Sequence, residues 1–209
     1  MIPADSDLRQ KTREAIESPS RIADNTPAAP QGCGSKRRVK IAAMSVILLS
    51  GPIGSGKTAV ARQLITLLPP PVFYIEGDTF WSFFNARHTH TRREQFRYMM
   101  RSMTAAAVPL AKEGYQVIVD FSIPPDFVDT ARKIAKDLPL HFVLLRPSLN
   151  VCAKRAATRQ DGRITDYDGG FYRLFEATQW NAICDDQADA LEMAVRIRDG
   201  LDRSDFRVP

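Results

Sequence analysis

Eight residues, Gly51-Pro52-Ile53-Gly54-Ser55-Gly56-Lys57-Thr58, carry the clearest chemistry in the chain, matching G-x-x-x-x-G-K-[ST] in full. Glycines at that spacing let successive backbone N–H groups turn inward around phosphate oxygens. A helix that follows adds unpaired donors and a partial positive charge at its N-terminus. Lys57 supplies a point charge for the β- and γ-phosphates, and Thr58 a hydroxyl oxygen for Mg²⁺. Gly51, Gly54, Ser55, Gly56, Lys57 and Thr58 are therefore the expected nucleotide-binding residues. This loop implies an ATP or GTP site and specifies no reaction.

A second stretch, Ile75-Glu76-Gly77-Asp78-Thr79-Phe80-Trp81, addresses the reaction. An apolar run ends there in two carboxylates bracketing a glycine. A carboxylate near a γ-phosphate can take the proton of an attacking hydroxyl, and a second can hold a Mg²⁺-bound water. Gly77 is expected to let the backbone pass close to a ligand, and Trp81, Phe83 and Phe84 to wall an acceptor pocket. Asp120 ends another apolar run, Tyr115–Asp120, the arrangement of a Walker B carboxylate that assists the metal. Arg87, His88, His90, Arg92 and Arg93 follow the aromatics. On the acceptor side they would favour an anionic substrate; as a solvated basic helix start they would do nothing of the kind. His88 and His90 lack a third ligand at metal-type spacing.

These residues need elements to position them. Ser45–Ser50, Val72–Glu76, Tyr115–Asp120 and Leu140–Leu145 are short apolar runs that suit buried parallel strands, and Ala182–Cys184 is a short fifth candidate. Helical spacing spans 58–68, which Pro69-Pro70-Pro71 stops, and also 91–113, 125–138, 148–159, 171–180 and 188–201. Strands alternating with helices predict right-handed crossovers and a sheet covered on both faces. The expectation is an α/β P-loop NTPase fold: a five-stranded, mostly parallel sheet with a lid loop at 161–170. In such a sheet the P-loop and Glu76-Gly77-Asp78 leave neighbouring carboxyl ends and share one crevice.

Residues 1–44 read differently, with Pro3, Pro19, Pro27 and Pro30 among polar and small residues, and are expected to be a disordered tail. Met44 is an alternative start for the domain at 45–209. The net charge is +5, but 8 basic and 5 acidic residues lie in 1–44, leaving +2 for 45–209, which argues against nucleic acid. The three cysteines, Cys33, Cys152 and Cys184, have no metal-type spacing and read as reduced thiols of a cytoplasmic protein. No apolar run reaches the ~20 residues of a transmembrane helix, so no membrane partner is expected.

Taken together, GPIGSGKT, IEGDTFW, the VIVD of Val117–Asp120 and the LRPSLNVCAKRAATRQDGR run resemble the P-loop small-molecule kinases over about residues 45–200. These include the shikimate and gluconate kinases and the chloramphenicol phosphotransferase-like proteins. The resemblance implies that Asp78 is the catalytic base facing the acceptor hydroxyl. Glu76 stands where those kinases carry the first Asp of Asp-x-Asp, and its longer side chain reaches differently. The row Arg155, Arg159, Arg163 leads into the lid. By the same resemblance, Arg159 stacks near the adenine and Arg163 closes over the transferring phosphoryl group.

The function expected is therefore transfer of the γ-phosphoryl group of ATP to a hydroxyl of a small molecule. Lys57, Asp78 and Arg163 would be catalytic; Thr58, Glu76 and Asp120 would be on the metal side; Trp81, Phe84 and Arg87 would be on the acceptor. Rivals are a nucleotide or polynucleotide 5′-end kinase, a P-loop kinase of a cell-wall sugar nucleotide, and a nucleotide-dependent regulatory ATPase without a small acceptor. The acceptor and the oligomeric state are not readable from the sequence.

Overall fold

Six consecutive uncharged residues, Ser45–Ser50, form β1, and every one of them is buried. A strand apolar on both faces must sit inside a sheet that is itself covered twice. The computed structural model describes residues 44–83, 91–158, 169–176, 178 and 180–209, and in it β1 is the central strand. The other strands are β2 (Val72–Glu76), β3 (Gln116–Asp120), β4 (Leu140–Leu145) and β5 (Ala182–Ile183), and the sheet order is β2-β3-β1-β4-β5. All four pairings are parallel. The helices are α1 (Lys57–Leu67), α2 (Gly77–Ser82), α3 (Arg92–Lys112), α4 (Val128–Ala135), α5 (Leu149–Ala157) and α6 (Ala190–Asp202). The expected tail lies outside the described residues, apart from Met44.

Alternating strand residues feed two cores. Val46, Leu48, Val117 and Val119 pack with Met99, Met103 and Ala107 of α3 and Val128 and Ala131 of α4. Ile47, Leu49, Ile118 and Val143 pack with Val60 and Leu64 of α1 and Ala194 and Ile197 of α6. Each fully buried Leu or Ile contributes about 1.5–3 kcal/mol by leaving water. Two helix starts carry reciprocal caps that fix where they begin. The Thr91 hydroxyl accepts from Glu94 N–H while the Glu94 carboxylate accepts from Thr91 N–H, and Asp189 and Glu192 repeat the device at α6.

Several boundaries differ from the expectation. The helix at 125–138 is a 3₁₀ turn, Pro125–Phe127, followed by the shorter α4. Among the described residues of 171–180 the structure has a 3₁₀ turn, Tyr172–Phe175, with Tyr172 and Phe175 buried. The helix expected to reach Arg159 ends at Ala157. Glu76 ends β2 as expected, and a short helix, α2, follows with no linker, so Asp78 stands in a helical first turn.

His141 on β4 is 5% exposed, and Arg207 bridges it from the chain's last residues. Its Nδ1 has no hydrogen-bond partner among the described residues. Burial, and then the Arg207 charge, lower its pKa to about 4. The unfolded chain binds that proton near pH 6.5, so stability is full above 6.5 and falls as pH drops toward 4. By pH 4.5 the loss from this residue is expected to reach about 2–3 kcal/mol. Urea unfolding at pH 7.5 and 4.5 checks it: His141→Gln should remove that share of the acid sensitivity, and an unchanged pH dependence would refute the assignment.

Candidate active site

The loop between β1 and α1 is shaped by its glycines. Gly56 is the N-cap of α1 in the left-handed region, and no side chain caps the helix start. No acidic residue lies in the first turn of α1, so its N–H donors face the crevice without a local carboxylate. Lys57 Nζ donates to the carbonyl oxygens of Gly51 at 3.1 Å and Pro52 at 3.0 Å, and lies 3.4 Å from Ser55 Oγ. The backbone at Gly54 runs against the carbonyl of Cys152 on α5, which locks the loop to that helix.

Register brings the carboxylates to the same edge. Glu76 of β2 pairs with Asp120 of β3, and Asp120 pairs with Leu49 of β1, one residue before the loop strand ends. Asp120 is 3% exposed. Burial pushes its carboxyl up, and the Lys57 charge and hydrogen bonds from Thr58 and Tyr74 oppose that shift. Tyr74 Oη donates to Asp120 Oδ2 at 2.9 Å. Burial and the neighbouring carboxylate push the phenol far above its ordinary range, so it remains a donor. Thr58, Tyr74 and Asp120 are thus one hydrogen-bonded unit beside Lys57.

Glu76 ends β2 and precedes the first turn of α2, where its Oε2 accepts from Thr79 Oγ1 at 2.8 Å. Asp78 lies in that first turn, exposed to solvent. Its charge is the smallest of the influences on the Asp120 carboxyl, adding slightly to the upward push of burial. Gly77 has a packing reason in the fold. A β-carbon there would stand 2.4 Å from Phe121, so the close approach that the fold itself requires is to a core residue.

The aromatics after Asp78 divide. Trp81 packs on Phe96 at 5.3 Å and on Phe121 at 6.1 Å, and Phe171 stacks on Phe96 at 5.5 Å. Phe83 is 74% exposed and takes no part in that wall. Phe84, Arg87, His88, His90, Arg159 and Arg163 lie outside the described residues. Arg155 is placed: its Nη1 lies 3.6 Å from where a β-carbon on Gly56 would stand. Of the arginine row, it is the member α5 brings to the loop.

Sequence reasoning missed a cleft of about 400 Å³ at the carboxyl ends of β4 and β5, lined by Arg146, Ser148, Tyr172, Glu176, Cys184 and Asp186. Ser148 N–H donates to Asp186 Oδ1 at 2.6 Å, and Tyr172 Oη donates to the Pro147 carbonyl at 2.9 Å. Hydrogen bonds from Ser148 hold the Asp186 carboxyl below its usual range. The only local signal was Ser148 as a helix cap; the rest depends on β5 lying beside β4.

The donors beside Lys57 suit Mg²⁺: hard oxygens of one carboxylate and one hydroxyl, with waters and phosphate oxygens to complete the shell. Among the described residues no cluster of three His, Cys, Asp or Glu side chains could hold a metal alone. Cys152 and Cys184 form no disulfide among the described residues, and no described helix is long and apolar enough to cross a membrane.

A family model described as chloramphenicol phosphotransferase-like protein matches residues 44–196. No curated protein matches the chain. Among solved structures, a sugar kinase from Janibacter sp. HTCC2649 is 19% identical, with a TM-score of 0.61 over 76% of this chain and 95% of that one. The APS kinase of Mycobacterium tuberculosis, solved with AMPPNP and APS, is 22% identical, with a TM-score of 0.59 over 75% and 96%. A gluconokinase from Sinorhizobium meliloti 1021 is 18% identical, with a TM-score of 0.55 over 77% and 92%. At these identities the likeness is one of fold.

Proposed function

The chain belongs to the chloramphenicol phosphotransferase-like family and is an ATP-dependent phosphotransferase of small molecules, and from that premise we propose that its acceptor group is a hydroxyl activated by Asp78. One observation supports the reading: Asp78 is an exposed carboxylate two residues beyond Glu76, and strand register sets Glu76 beside the buried Asp120, whose strand in turn lies beside β1 and the Lys57 loop.

The steps follow from the residues. The loop N–H groups and Lys57 hold the β- and γ-phosphates of ATP, and the cleft beyond β4 and β5 has room for the nucleoside. Mg²⁺, when bound, supplies charge neutralisation on the phosphates. Thr58 and Asp120 are the groups that would hold it, with Tyr74 fixing the orientation of Asp120. Asp78 takes the acceptor O–H proton as the oxygen attacks the γ-phosphorus. The new O–P bond forms, the bond to the β-phosphate oxygen breaks, and ADP leaves with that electron pair. Arg155 beside the loop supports charge on the phosphates, and Arg163 is proposed to close over the γ-phosphoryl group. Most of the catalysis on this reading is positioning and charge neutralisation.

The test is ADP production by the full chain with Mg²⁺-ATP across hydroxylated metabolites, sugar acids, aminoglycosides and phenicols. At least one class should raise the rate well above the acceptor-free rate, with one phosphorylated product per ADP. Slow hydrolysis that no acceptor changes would overturn the transferase reading in favour of a regulatory ATPase.

A further inference from the structure

Arg92 and Arg93 are adjacent at the start of α3, and the structure gives them opposite situations. Arg93 pairs with Asp126 at 3.3 Å and lies over the Phe127 ring. Arg92 lies over the Trp81 ring, 4.9 Å from its centroid, and over Phe96 at 5.6 Å. It has no carboxylate partner among the described residues. A cation at a helix N-terminus opposes the helix dipole, so helix stability does not account for it. A guanidinium held over rings by cation–π attraction keeps its N–H donors for other partners, and a planar guanidinium takes a carboxylate, sulfate or phosphate by two bonds.

Position gives the guanidinium its meaning. Trp81 follows Asp78 by three residues on α2, so the two are neighbours on one helix face, roughly 5 Å apart along the axis. Arg92 sits on Trp81 and is therefore within one small molecule's length of the carboxylate proposed as base. We propose that Arg92 sets acceptor specificity: the molecule phosphorylated here carries an oxyanion besides its hydroxyl, bound by the Arg92 guanidinium beside Trp81. The inference rests on the transferase reading and names the substrate class for that site.

The test uses simple probes and reads binding apart from turnover. The chain has two tryptophans, so ¹⁵N labelling gives two indole N–H signals, assigned with Trp180→Phe. Benzoate, phenyl phosphate and benzamide are titrated into the full chain. Both anions should move the Trp81 signal with a Kd at least about tenfold below that of benzamide. Their relative affinity separates a carboxylate-bearing from a phosphate-bearing acceptor. Arg92→Gln should bring all three together, and Arg93→Gln should leave the preference intact. Equal affinities, no binding by the anions, or a preference that survives Arg92→Gln would overturn the proposal. ADP production judges the parent reading separately. If hydroxyl acceptors raise it while the anion preference is missing, the transferase stands and the Arg92 assignment falls. If the preference is present and no acceptor raises it, the transferase reading falls and the anion site remains.

Discussion

Asp78→Asn is expected to lower acceptor-dependent kcat by about 10²–10⁴-fold, the range for loss of a general base, while the Kd for ATP stays close to that of the native chain. The side chain is exposed in the first turn of a short helix, so a near-isosteric amide removes no packing. The nucleotide groups stand on other elements: Lys57 and Thr58 on α1, Asp120 on β3. Removing the Asp78 charge also relieves part of the upward push on the Asp120 carboxyl, so its metal-holding form is favoured and not weakened. Single-turnover phosphoryl transfer and ATP titration, run on the same preparation, separate the two quantities. Transfer at the native rate would remove Asp78 from the mechanism. A parallel loss of ATP affinity would make it part of the nucleotide site instead.

Gly54→Ala is expected to cost about 2–5 kcal/mol of stability and on the order of 100-fold in ATP affinity. Gly54 has φ +81°, and a β-carbon there would stand 2.1 Å from the Cys152 carbonyl oxygen, a backbone atom that cannot swing aside. The loop and α5 would have to separate, displacing the N–H donors by an appreciable fraction of an ångström. Gly56→Ala is the matched comparison. Its φ of +92° carries similar backbone strain, but its β-carbon would meet only Arg155 Nη1, at 3.6 Å. Gly56→Ala should therefore lose about 1–2 kcal/mol and much less affinity. Equal losses in the two variants would show that strain, and not the contact with α5, governs the loop. Urea unfolding and ATP titration measure both.

Most of the fold was legible because its central strands are buried on both faces and read as unbroken apolar runs; Ser45–Ser50 and Leu140–Leu145 have the bounds expected of them. The phosphate loop was legible because its function needs particular residue types at fixed spacing. α2 was not, because six residues with a glycine at the start and two aromatics carry no helical period of their own. It is held by Trp81 against Phe96 and Phe121, which are distant in sequence. The same limit hid the purpose of Gly77, whose neighbour is Phe121, and the cleft beyond β4, which exists because β5 lies beside it. Arg92 and Arg93 are indistinguishable as letters. Only the placement of Asp126 on one side and Trp81 on the other separates them.

The sheet order also ranks the two halves of the site by durability. β1, which launches the phosphate loop, is bonded on both sides and wholly buried. β2, which launches Glu76 and Asp78, is an edge strand bonded only to β3, with three of its five residues half-buried and Phe73 exposed. Edge elements open in subglobal excursions well below the free energy of complete unfolding. Amide protons of β2 should therefore exchange with deuterium before those of β1. In rising urea the protein should pass through a range where it still retains ATP but has lost acceptor chemistry, becoming a nucleotide-binding protein before it becomes an unfolded chain.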